Sequence, residues 1–440
     1  MSLTSFFPPA GFMHSNENFD ATPTTGADAI APDETDTLAS AVSEINNDEA
    51  DIAGGNDQID AASVTADGLE TISEQVAEAN EGDGLDETAA AVIEASVECM
   101  LKVARIGVKF KSLGIPSSES FKVKGNRLAL GKATCEALAD TAKKIWKQII
   151  EAIKKSIEWV RNLFNKIFGA AERIQRRAKA LKEKVTTLAD KAEETQIENE
   201  SLYNSVLIKG NVAKAADINN LAKEAKTIFA AQKKFTDDYA KMELDASTSP
   251  STISPSDYGL KAADSNIAKR VTSESSMGVS VTSRFPGDTV VYMVLPKSQS
   301  GSTGKDAAEH ANSIKAGSVS LAEKKVEGKA LPVMPKNDIT AMAESVDKFA
   351  GEIIAYKQNL TAITADKNKF IGKLEKHLSK GDGRDEADSK DEAGKKAKAL
   401  ATMFRKMMDE PAASFASHSV RGASAVLQYA ELSARQYPAR

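Results

Sequence analysis

Lysine and arginine are missing from the first 101 residues of this 440-residue chain, so its start has no basic region of the kind that opens a secretion signal. No run reaches the ~18 apolar residues of a membrane-spanning helix. Cysteine is scarce: Cys99 and Cys135 have neither a CxxC partner nor a neighbouring histidine. That excludes a disulfide framework and a zinc site, and points to a reduced compartment. The four histidines (His14, His310, His377, His418) are scattered, and no second histidine lies at helical spacing from the Glu309-His310 pair. Aromatics make up only 5% of the chain while Ala, Lys and Glu are abundant, which favours long helices over a large sheet core.

What is present is a charge step. The whole chain has 57 Lys or Arg and 63 Asp or Glu, a net of -6, but residues 1–100 hold 22 of the acids and the remainder is +16. Residues 141–184 alone carry 13 basic residues against Glu151, Glu158, Glu172 and Glu183, a net of +9. A basic body behind an acidic arm implies a polyanionic partner for the body and a masking or solubilising role for the arm.

The fold class read from the pattern is mainly α: an elongated bundle of long helices with a small antiparallel β insertion and a disordered acidic N-terminal leader. Residues 1 to about 62 have too few large apolar groups to offset their ordering entropy. Short helical patterns follow at 62–82 and 86–113, and Gly114 and Pro116 then break the chain. A central helix begins after Gly131 with a stripe of Leu138, Ile145, Trp146, Ile149, Ile153, Ile157, Val160, Phe164, Ile167 and Phe168, and is expected to extend into 188–207. A second long helix is read over 212–242, ended by the Ser/Thr/Pro cluster at 246–256. Val- and Thr-rich runs bounded by Gly and Pro at 270–334 indicate strands. Asp338 is read as the cap of a third long helix to about Leu378. A charged loop at 380–390 and one or two helices broken near Pro411 complete the chain. The regions are therefore a leader (1–119), a basic helical region (120–245), a linker with the β insertion (246–336) and C-terminal helices (337–440).

Local sequence yields no catalytic site, cofactor site or metal site. Gly301 to Lys305 reads G-S-T-G-K, but Gln299 stands where a phosphate loop needs its first glycine and Asp306 where it needs Ser or Thr. The basic helix offers three uses: an anionic membrane met by its cations and its Trp and Phe residues, phosphates bound without sequence preference, or packing of the stripe while the cations stay hydrated. Stripe burial is compatible with phosphate binding by the outward residues Lys143, Lys147, Lys154, Lys155, Arg161, Lys166, Arg173, Arg176, Arg177 and Lys179. Membrane use of the same stripe requires the bundle to open, so it ranks lower.

At the charge step stands Pro116-Ser117-Ser118-Glu119-Ser120-Phe121. A small residue, any residue, then Glu resembles the cleavage rule of the prohead maturation proteases of large tailed bacteriophages, although Ser96-Val97-Glu98 and Gly68-Leu69-Glu70 fit it too. With the acidic leader before it and KIFGAAERIQRRAKALK after it, the stretch of roughly 30–190 resembles internal head proteins, virion structural proteins of those phages. The resemblance implies a propeptide cut after Glu119, leaving residues 120–440 with 53 basic and 40 acidic residues, a net of +13. It implies a protein without enzymatic activity, made in the host cytoplasm and housed inside the capsid, with packaged double-stranded DNA, the prohead protease and other capsid or inner-head proteins as partners. The alternatives are a prohead scaffold or adaptor that binds other capsid proteins, and a membrane-active protein ejected with the genome.

Overall fold

The computed structural model of the chain describes residues 32–105, 110–244, 254–297, 304–322, 330–379 and 387–440. The chain forms two compact units, one around Ala50–Ser156 and one that joins Asp28–Glu49 to Ile157–Arg440. Helices α1 (Pro32–Asn80) and α3 (Arg127–Thr186) contribute residues to both.

The first unit is built from the later part of α1, from α2 (Glu87–Val103) and from the start of α3. On α1, Ile59, Ala66 and Ser73 recur every seven residues with Ala62, Leu69 and Val76 between them, and all six are buried. This is the spacing of a helix seam that stays on one side of its neighbours. Small residues in the seam let the helices approach closely. A methyl group added at Gly68 would lie 2.6 Å from Met100 Sδ of α2, and Thr65 Oγ1 donates to the Met100 carbonyl at 3.3 Å. Towards α3, Ser73 Oγ donates to the Cys135 carbonyl at 3.1 Å and Cys135 Sγ donates back to the Ser73 carbonyl at 3.4 Å. Asp86 caps α2, its Oδ1 accepting from Ala89 N at 2.7 Å.

Ordered helix therefore reaches further back than the sequence reading has it. The stretch to about residue 62 expected to be disordered is helical from Pro32 onward, with Leu38 and Ile45 buried in the second unit; residues 1–31 lie outside the described residues.

In the second unit the end of α3 runs antiparallel to α8 (Lys336–Ser379), as Lys182–Glu344 at 2.6 Å and Lys357–Glu172 at 2.9 Å show. Between these helices in sequence lie β1 (Gln196–Ile197), α4 (Glu200–Ser205), a hairpin of β2 (Leu207–Ile208) and β3 (Asn211–Val212), and α5 (Ala215–Lys241). Lys209 and Gly210, both at positive φ, make that hairpin's two-residue turn. α5 lies parallel to α8, pinned by Asn219 Nδ2 donating to Ser345 Oγ at 2.8 Å and Lys373 Nζ donating to the Met242 carbonyl at 2.8 Å. Then come β4 (Lys261–Ala262), α6 (Ser265–Val271), β5 (Met277–Val281), β6 (Thr289–Pro296), α7 (Gly304–Ser313), β7 (Lys315–Ser320) and β8 (Leu331–Pro332).

Strands β4-β5-β6-β7 form the expected small antiparallel sheet, with Val279 opposite Val294 and Val291 opposite Ser318. Val290 and Val294 of β6 pack with Met277, Val279, Val281, Leu321 and Ile267. Val291 and Met293, of opposite parity, are also buried, so side chains on both faces of β6 are covered. The chain closes with α9 (Ala387–Met407) and α10 (Ala412–Arg435), broken at Pro411 as expected. Phe229 stacks on Tyr356 at 4.4 Å, and Phe415 meets Phe285 edge-on at 5.1 Å, so aromatics from α5, α8, α10 and the β5–β6 turn share one core.

Three boundaries differ from the sequence reading. α3 stops at Thr186 instead of running on through 188–207: Thr186 and Thr187 turn their hydroxyls onto the carbonyls of Glu183 and Lys184, and the following segment pairs with the C-terminus. Ala189 N donates to the Pro438 carbonyl at 2.8 Å, Glu193 N to the Gln436 carbonyl at 2.7 Å, and β1 pairs with β8. Asp338 lies in the first turn of α8 rather than at its cap, its N–H donating to the Pro335 carbonyl. Helix α9 begins at Ala387, inside the stretch read as a loop; residues 380–386, like 245–253 of the Ser/Thr/Pro break, lie outside the described residues.

Candidate nucleic-acid interface and leader junction

The apolar stripe of α3 is buried along its length, from Leu138 and Ile145 to Ile167 and Phe168. Trp159, off the stripe, is 48% exposed. The basic residues are thereby sorted by helical geometry. In the first unit Lys143, Lys147 and Lys155 are exposed and Lys154 is partly buried, pairing with Glu151 one turn away at 2.8 Å. In the second unit Arg161 is exposed and pairs with Glu158 at 3.5 Å, Lys179 lies 3.9 Å from Asp347, and Arg173 is half-buried. Lys147, Lys155 and Arg176 are exposed and make no ion pair among the described residues.

Arg177 does not belong with them. It is 2% exposed, and its Nε donates to Glu431 Oε1 of α10 at 3.0 Å with Nη2 on the other carboxylate oxygen. A helix 3.6 residues per turn cannot present every cation of a dense basic run outward, and Arg177 falls on the same face as Ile174 and Ala178.

Lys166 is engaged as well. Its ammonium lies 2.8 Å from Asp48 and 3.6 Å from Glu44, both on α1, and its hydrogen bond to Asp48 holds its pKa above the usual lysine value. One residue further along α1, Glu49 accepts from Ser417 Oγ at 3.0 Å and from Arg421 Nη2 of α10. Arg421 Nη2 also lies 3.0 Å from Ser417 Oγ, while its Nε is buried without a hydrogen-bond partner. None of Glu44, Asp48, Glu49, Ser417 and Arg421 was singled out by the sequence. The i, i+4 spacing of Glu44 and Asp48 was the available signal, and it is silent unless the segment is taken as helix.

Around these groups the second unit holds more buried charge. Lys367 is paired with Asp409 in the core, where burial pushes the Asp409 carboxyl up. Burial, with the charges of Glu49 and Asp409 nearby, pushes Glu410 up to about 7 despite a 2.8 Å bond from Ser414 Oγ. Burial and Arg421 push His418 down to about 3, so it is neutral at physiological pH.

The junction lies in the first unit. Ser117 begins a 3-10 segment (Ser118–Lys122) in which Ser120 N donates to the Ser117 carbonyl at 3.0 Å and the two hydroxyls lie 3.3 Å apart. Ser118 N donates to Glu94 of α2 at 3.2 Å. Ser117, Glu119 and Ser120 are exposed, but Ile115 and the 1% exposed Phe121 on either side sit in an apolar cleft with Leu85, Ala90, Ile93 and Phe110. Glu98 and Glu70, in the two other matches to the cleavage rule named above, sit inside α2 and α1. A protease needs an extended substrate segment, so the short 3-10 turn is the readier of the three to open.

Other sequence candidates stay apart. Residues 301–303 of the glycine-containing motif lie outside the described residues, and Gly304 and Lys305 open α7. His310 is half-buried, its pKa lowered by burial; Cys99 is exposed and Cys135 is engaged with Ser73. Among the described residues no group of His, Cys, Asp or Glu could hold a metal ion, and no helix is long and apolar enough to cross a membrane.

Comparison with curated proteins and with solved structures gave no match. A family model described as phiKZ-like phage internal head proteins matches residues 47–432. The match takes in most of the acidic helix α1, the basic helix α3, the sheet and the C-terminal helices, well beyond the stretch whose motifs carried the resemblance, and the chain belongs to the phiKZ-like phage internal head proteins.

Proposed function

We propose that this internal protein of the phage head is made in the host cytoplasm with its acidic leader attached, is cut after Glu119 by the prohead maturation protease, and then lies against packaged double-stranded DNA without sequence preference. The charge partition at the junction carries the reading: 23 acids and four bases precede the cut, and 53 bases and 40 acids follow it. Exposed Lys147, Lys155 and Arg176 supply cations for phosphates, each neutralised phosphate releasing counterions. The role is structural, with no reaction, cofactor or metal of its own. The N-terminal residue and intact mass of the protein from mature particles test the processing: a start at Ser120 is expected, and a start at Met1 or Ser2 would return the acidic arm to the working protein. DNA binding by the processed protein is expected to weaken steeply with salt and to exceed that of the uncut chain; equal binding at low salt would defeat the reading. Exposed Trp159 favours a second reading, a scaffold or adaptor that docks on other capsid proteins, whose binding would tolerate salt.

A further inference from the structure

The leader helix α1 does more than add negative charge at a distance. Over one and a half turns it places Glu44 and Asp48 on Lys166 and Glu49 on Ser417 and Arg421. Leu38 and Ile45 on the same stretch are buried, so these carboxylates are held in position rather than tethered loosely. Like a phosphate oxygen, each carboxylate is anionic and acceptor-only: Glu44 and Asp48 meet an ammonium, Glu49 a guanidinium and a hydroxyl. The cations come from two different helices, α3 and α10, and meet consecutive residues of α1, Asp48 and Glu49, which point about 100° apart around the helix.

The fit of Arg421 is incomplete. One nitrogen, Nη2, serves both Glu49 and Ser417, while Nε has no acceptor. A guanidinium binds phosphate best through two parallel N–H groups, so Arg421 has donor capacity that the leader leaves unused. Lys166 in turn is paired with leader carboxylates and, among the described residues, with no other acid.

We propose that Lys166, Arg421 and Ser417 bind phosphates of a nucleic-acid backbone and are masked in the full chain by Glu44, Asp48 and Glu49 of the leader. This rests on the reading of the protein as a DNA-associated head protein and adds the place where the leader acts. The exposed cations of α3 bind DNA with the leader in place; this site becomes available when the carboxylates at 44, 48 and 49 no longer hold its cations.

The test uses the full-length chain and a duplex DNA of fixed length at low salt. Glu44→Gln, Asp48→Asn and Glu49→Gln together are expected to tighten binding roughly tenfold and to steepen the log–log salt slope by about 1.8, the value for two more phosphates. Adding Lys166→Ala and Arg421→Ala should abolish both gains. Acylation of the Lys166 amine, read by mass spectrometry, reports the latch without relying on binding: the side chain is 38% exposed, and its reactivity is expected to be slowed by the ion pairs in the parent and to rise in the triple variant. A folded triple variant with reactive Lys166 that binds DNA no tighter than the parent overturns the site. If Lys147→Ala, Lys155→Ala and Arg176→Ala then weaken the parent's binding, the functional reading stands while the site falls. If parent, triple variant and processed protein all fail to bind DNA, the functional reading falls with it.

Discussion

Arg177 and Glu431 meet where both side chains are nearly sealed from water, and removing one partner leaves the other charge stranded. Arg177→Met is expected to lower unfolding free energy by about 3–5 kcal/mol, read by chemical denaturation, while leaving the salt slope of DNA binding unchanged. Adding Glu431→Leu should recover most of that loss. Glu410 makes a pH-dependent case. Its carboxyl is raised from 4.5 in the unfolded chain to about 7 in the fold, so the fold keeps its proton longer and loses stability as pH rises between those values. Glu410→Gln cannot ionise, and it should melt above the parent at pH 8 and level with it at pH 4. Such residues were not legible in the sequence. Arg177 stands in a dense basic stretch, and only the turn of the helix against α10 distinguishes it from exposed Arg176; Glu410 is perturbed first by burial and then by Glu49, which is remote in sequence, and by Asp409 beside it.

Helices α3, α5 and α8 were readable because Ile, Leu, Val and Phe recur at three and four residues along them, whereas α10, rich in alanine and serine, was read only as one of one or two helices around the break at Pro411. Helix α1 was readable only over its last part, at 62–82; before that its large apolar residues Leu38, Ile45, Ile52 and Ile59 stand seven apart with mostly small or polar residues between. Pattern reading discounts such a seam, whereas close packing against α2 and α3 rewards it. The end of α3 was missed for a different reason: residues 187–193 bond with the C-terminus and 195–197 with the β8 segment, partners no local window contains. At the same scale belongs the 3-10 turn at the junction. Phe121 pins it in the apolar cleft, and truncating a buried phenylalanine costs about 3–5 kcal/mol. Phe121→Ala should therefore speed cutting after Glu119 by a glutamate-specific protease at least tenfold, relative to cutting at Glu70 and Glu98, as followed by mass spectrometry.

For the molecule as a whole, the charge step was plain in the sequence and the family match agrees with the head-protein reading it prompted, but the contacts by which α1 holds the body were not. If electrostatics govern DNA association, the uncut chain should elute from a heparin column at lower salt than the processed protein, and equal elution would count against masking. Glu119 also lies beyond both α1 and α2 in the chain, while those helices contribute core residues to the first unit and α1 supplies Leu38 and Ile45 to the second. Cutting there breaks one peptide bond and none of these packing contacts. Before the cut the leader is held at the effective concentration of a linked segment; after it, the leader is a separate ligand with a dissociation constant of its own. If the chain is cut inside a closed shell, as proposed, released fragments cannot dilute away, so cleavage would only license departure. The timing of unmasking is then set by whatever removes the fragment: further digestion, escape through the shell, or competition from the incoming polyanion.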